Sequence, residues 1–228
     1  MDYLITALHA ALGLIVDLNH EVMSTVGISL YTSLSAILLA SLLGVPVGIA
    51  LGLSRFPGRR VILTLLNTLM ALPTVVIGLV LFGLLSRQGP LGSWGLLYTP
   101  LAMIIGQTVL ATPIVANYTL AVINGSDNRI MPTARTLGAG PLQATWKLLK
   151  ETRFGIMAAI IAGFGRVIAE VGVVMMLGGN IRGITRTMTT AIALETSKGE
   201  FAFGMALGLI LMSVALLVNL FLNLLQHR

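Results

Sequence analysis

Apolar residues in this chain come in long runs separated by short polar segments. Five of the runs, about 22–53, 61–85, 96–123, 155–177 and 201–225, reach the ~20 residues that an α-helix needs to cross a bilayer. In lipid such a run is stable as a helix, which satisfies its own backbone. The pattern predicts five transmembrane helices. Residues 3–18, YLITALHAALGLIVDL, are apolar but short and contain His9 and Asp17, which predicts an N-terminal interfacial helix, with a sixth short span as the alternative. The start, MDYLIT, lacks the basic region of a secretory signal.

Breaks inside the runs refine this. Pro46 predicts a kink in the first run and Leu72-Pro73 an interruption in the second. Gly44, Gly48 and Gly52 recur every four residues and leave one face bare, where another helix can come close, either within the subunit or from a second one. Gly204 and Gly208 form a similar pair in the last run. SRFPGRR, residues 54–60, reads as a tight basic turn, and SRQGPLGSWG, residues 86–95, as a loop whose Trp94, with nearby Tyr98, suits an aromatic belt.

One polar and basic segment is long. Residues 127–153 hold MPTARTLGAGPLQATWKLLKETR, with Arg135, Lys147, Lys150 and Arg153 opposed by Glu151. Gly138, Gly140 and Pro141 split it, which predicts helix, break, helix. Ala134, Leu137, Leu142, Trp146 and Leu149 give the two short helices apolar stripes, with the charges turned to water or headgroups. Such a loop reads as a docking surface outside the bilayer.

Composition agrees with a membrane protein. Of 228 residues 56% are hydrophobic and 10% charged, against ~25% charged in a soluble domain. Cysteine is absent, which excludes disulfides, thiolate chemistry and iron–sulfur clusters. His9, His20 and His227 are too scattered to suggest a metal site. The net charge of +6 sits in short loops that flank apolar runs, which points to membrane orientation and away from nucleic acid. Arg55, Arg59, Arg60, Arg129, Arg135, Lys147, Lys150, Arg153 and Arg228 fall on one side, and Arg87, Arg182, Arg186 and Lys198 on the other. The richer side, with the polar loop, is expected in the cytoplasm.

Arg166 remains, inside the fourth run and four residues before Glu170. A charge at that depth is expensive unless paired or wet, so the face lines a polar path or the two residues form a structural pair. Beyond it, Gly178, Gly179 and Asn180 end the run, and Arg182, Thr185, Arg186 and Thr189 add charge and hydroxyls at its outer mouth. These residues suit an oxyanion, or equally a loop with helix-capping threonines. No phosphate-binding loop, nucleophile elbow or H-E-x-x-H pair occurs, so no enzyme is expected and uphill transport must draw on a partner or an ion gradient.

The polar loop and the residues after it resemble the membrane permeases of ABC importers, which carry an Ala-to-Gly spacing of four in their cytoplasmic coupling loop. Ala134 and Gly138 keep that spacing, while Pro132 and Thr133 stand where that family has Glu and Ala. FPGRR at 56–60, LLNTLMALPTVVIGLVL at 65–81, RTLGAG at 135–140, GFGRVIAEVGVVMMLGGNI at 163–181 and TRTMTTAIALETSKGEF at 185–201 are similar to the molybdate and tungstate branch, its tungstate type above all. The resemblance implies an all-α permease working as two copies with a cytoplasmic ABC ATPase dimer, which holds ATP and Mg, and an external oxyanion-binding protein. This chain binds no cofactor of its own under that reading. Ala134, Arg135, Leu137, Gly138, Ala139 and Gly140 are then the ATPase-coupling loop, and Arg166, Glu170, Gly178 to Asn180, Arg182, Thr185, Arg186 and Thr189 lie along the pathway or gate. The expected location is a bacterial or archaeal cytoplasmic membrane. A self-sufficient secondary transporter or channel for a small anion is the alternative, although no internal repeat supports it.

Overall fold

The computed structural model describes residues 2–54 and 56–226; Arg55 and Arg228, counted in the charge pattern above, and His227 lie outside the described residues. The described chain is helical: α1 (Asp2–Val16), α2 (His20–Leu53), α3 (Arg59–Ala71), α4 (Thr74–Leu85), a 3-10 turn (Gly92–Trp94), α5 (Pro100–Asn124), α6 (Ile130–Thr136), α7 (Pro141–Ile168), α8 (Gly172–Gly178), α9 (Met188–Lys198) and α10 (Phe201–Gln226). Helices α2, α5 and α10 are long and apolar enough to cross a membrane alone. The α3–α4 and α7–α8 pairs qualify as bent units, with bends of 98° and 58°.

Helix α5 is the axis of the bundle, with two thirds of its most apolar stretch buried, and α2 packs along it. The glycine stripe makes that contact. A Cβ on Gly44 would lie 2.8 Å from the Thr112 carbonyl oxygen, one on Gly48 2.5 Å from that of Ala116, and one on Gly52 2.6 Å from Ile123 Cγ2. The stripe therefore serves packing within the subunit. Val22, Ala36, Ile37, Ala40, Val115 and Phe164 continue the core beside it. Of the second glycine pair, a Cβ on Gly204 would lie 3.5 Å from Thr196 Oγ1, an ordinary contact, while Gly208 faces open space.

Two boundaries differ from the sequence expectation. The polar loop is expected to end before the fourth run, yet α7 continues from Pro141 to Ile168 through Gly155. Gly155 does not break the helix; it admits Val122 of α5, whose Cγ1 would lie 2.7 Å from an added Cβ. The expected span 155–177 is instead broken at residues 169–171, where Glu170 Oε1 accepts from the Val173 N–H and starts α8. Helix α1, expected at the interface, packs on α10 and buries Ala7 and Ala11.

Candidate functional site

Three polar regions lie along the bundle. At the end where α2 and α5 finish, Gly52, Ser54, Arg59, Asn124, Asp127, Met131 and Leu148 surround a cavity of about 470 Å³, and Arg59 Nε donates to the Leu51 carbonyl at 2.8 Å. Here lies the hairpin of α6 and α7. Helix α6 ends in a Schellman motif: the Ala139 N–H donates to the Ala134 carbonyl and the Gly138 N–H to that of Arg135, both at 3.0 Å. Gly138 takes φ +87°, a left-handed conformation that favours glycine. The four-residue spacing from Ala134 to Gly138 is thus the distance from the accepting carbonyl to the left-handed position. Gln143 Oε1 accepts from the Gly140 N–H, and Pro141 opens α7.

The apolar stripe of this hairpin points outward. Helix α7 buries Ala144, Leu148 and Thr152, whereas Leu137 is 83%, Leu142 82% and Trp146 61% exposed. Their apolar area is open and lies among charges. Lys150 sits over the Trp146 ring, Arg153 over Phe154, and Lys147 pairs with Glu151 at 3.6 Å. At the hairpin's start the exposed Asp127 is held below its ordinary range by hydrogen bonds from Arg129.

The second region is the break between α7 and α8. Arg166 Nη1 lies 3.0 Å from Glu170 Oε2; the arginine side chain is 45% exposed and the glutamate 2%. Glu170 falls just beyond the end of α7, so the pair bridges a helix terminus instead of running along one face. Thr189 Oγ1 donates to the Glu170 carbonyl at 2.8 Å, and Gln107 Nε2 to that of Val167 at 3.3 Å.

At the opposite end from the hairpin is the third region. Gly179, at φ +69°, ends α8, and its N–H donates to Met175. Thr185 Oγ1 bridges the Ile181 N–H and the Gly178 carbonyl, Asn180 bonds Thr190, and Thr187 caps α9. The Thr185 and Thr190 hydroxyls and the Gly179 amide are thus engaged by neighbouring groups of the loop and helix ends. The two arginines are also paired: Glu21 meets both Arg182 and Arg186, and Arg186 Nη1 lies 3.4 Å from Glu195, itself 3.1 Å from Lys198 Nζ. Sequence reasoning missed Glu21 and Glu195 as partners. Arg186 Nε is buried without a hydrogen-bond partner.

Membrane-length helices, two of them broken beside a charged pair, and a hairpin with an exposed apolar face at one end fit a membrane transport subunit. Residues 44–228 match the family described as binding-protein-dependent transport system inner membrane component, and the chain belongs to that family. It is 37% identical, over the whole of both chains, to the tungstate uptake system permease protein TupB of Peptoclostridium acidaminophilum. A second protein of that name, from Campylobacter jejuni, is 39% identical over 96% of this chain and 92% of its own. A probable anion ABC transporter permease protein of Haloferax volcanii is 40% identical over 89% and 90%. The chain is accordingly a permease of an ABC uptake system.

Proposed function

We propose that this chain forms the translocation pathway for tungstate, or a related tetrahedral oxyanion such as molybdate, as the permease of an ATP-driven importer. It works as two copies in a bacterial or archaeal cytoplasmic membrane, receives the oxyanion from an external binding protein, and is driven by a cytoplasmic ATPase dimer that binds ATP and Mg. The observation that carries the reading is the 37% identity over full length to a tungstate permease. The hairpin gives it a physical basis, because Leu137, Leu142 and Trp146 offer an apolar surface where a water-soluble partner can dock.

The test is to purify the chain from its own membrane in mild detergent and reconstitute it with what accompanies it. A co-purifying ATPase whose hydrolysis rises with tungstate and the binding protein is the expected result. A chain that arrives alone and moves anions in liposomes without nucleotide contradicts it.

A further inference from the structure

We propose that Arg166 contacts the oxyanion inside the helical body and that Glu170 is the counter-ion the oxyanion displaces; this rests on the importer reading above. Depth is fixed by neighbours. The Met188 N–H donates to Ser29 Oγ at 2.7 Å and Thr189 Oγ1 to the Glu170 carbonyl at 2.8 Å, so the pair lies near the level of Ser29. From His20 to Ser29 the helix advances about 13 Å at ~1.5 Å per residue, which places the pair well inside the bundle. A charged side chain 45% exposed at that depth is costly against hydrocarbon, so its open side faces a polar path.

The surroundings suit an anion in passage. The break at residues 169–171 meets the break at Pro73: an added Cβ on Gly172 would lie 2.9 Å from Thr74 Oγ1 and 3.3 Å from Glu170 Oε1. Thr74 therefore brings a hydroxyl and the positive end of α4 to the same place. Glu170 is fixed, with one oxygen on the Val173 N–H at 3.2 Å and its carbonyl held by Thr189. Arg166 has a half-exposed side chain on a flexible stem, and its fork is able to take two oxygens of a tetrahedral dianion. The carboxylate beside it opposes tight retention, so the anion is held well enough to enter and loosely enough to leave.

The chain has no cysteine, so Arg166→Cys gives it a single thiol. In the reconstituted complex, anionic 2-sulfonatoethyl methanethiosulfonate should modify that thiol, and tungstate supplied with binding protein and ATP should slow the reaction. Arg166→Gln should assemble with the ATPase yet lose about tenfold or more of uptake, with Arg166→Lys restoring part of it through its charge alone. An unreactive thiol, a rate indifferent to tungstate, or normal uptake by Arg166→Gln overturns the proposal. Should the Arg166 variants fail to assemble, Ala162→Cys, an exposed position one turn earlier, reports the same access and protection with Arg166 in place. Wild-type complex that accumulates no tungstate overturns the importer reading itself; wild-type uptake leaves only Arg166 at stake.

Discussion

Glu21 Oε1, in the first turn of α2, lies 3.2 Å from Nη1 of Arg186, 165 positions further along the chain. The contact ties the start of α2 to the loop before α9, and Glu195 holds the same guanidinium from α9 itself. The Arg186 side chain is only 10% exposed, so its charge depends on these two carboxylates.

Either carboxylate alone can compensate Arg186, whereas loss of both leaves a buried charge unpaired. Glu21→Gln and Glu195→Gln should each cost about 1 kcal/mol, and the double variant at least ~3 kcal/mol, more than their sum. Thermal unfolding of the four proteins in detergent measures this coupling. Simple additivity would mean that water solvates Arg186 and that the cluster does not clamp the loop.

The α2–α5 contact yields a second expectation. Gly48→Ala places a methyl group 2.5 Å from the Ala116 carbonyl and 2.7 Å from Thr119 Cβ, so the backbones must part. Overpacking of this kind costs about 1–3 kcal/mol. Gly27→Ala, on the same helix but facing open space, should be neutral or stabilise by up to ~1 kcal/mol. Equal melting temperatures for the two variants would contradict the close approach.

The long apolar runs made the spans legible, because run length alone decides whether a helix can cross, and Pro73 announced the α3–α4 bend. The break after Ile168 was not legible. It depends on the Glu170 side chain capping α8 and on Thr74 crowding Gly172, contacts made across the fold. The Arg186 partners were missed for a related reason: Glu21 is remote in sequence, although an acid in a helix's first turn, beside an otherwise apolar run, was a usable signal. In the hairpin, periodicity allowed two stripes on α7. Tertiary packing chose Ala144, Leu148 and Thr152 for the inside and left Leu142 and Trp146 out.

Because Leu142 and Trp146 are exposed, replacing them should leave the fold intact. Leu142→Ser with Trp146→Ala is expected to shift stability by no more than ~0.5 kcal/mol, as for other surface changes. The same variant should lower ATPase recovery on the purified chain severalfold, since exposed aromatic anchors dominate docking at about 2 kcal/mol or more. Pull-down and melting temperature, measured on one preparation, separate the two effects. Unchanged recovery would remove this face from the docking surface.

Gly138 offers the sharpest test of the hairpin, because its role is conformational. Nothing lies within 4 Å of a Cβ built there, so a methyl group meets no clash; the obstacle is the backbone at φ +87°. An L-residue in the left-handed region costs roughly 1–2 kcal/mol, and asparagine less than alanine. Gly138→Ala should therefore reach the membrane in normal amount but couple poorly, with a several- to thirtyfold loss in apparent affinity for the ATPase. Gly138→Asn should retain more than Gly138→Ala, although its side chain is larger. The order glycine, asparagine, alanine in ATPase titrations identifies the left-handed turn as the requirement. The order glycine, alanine, asparagine would point to size, and so to a partner surface pressed against Gly138.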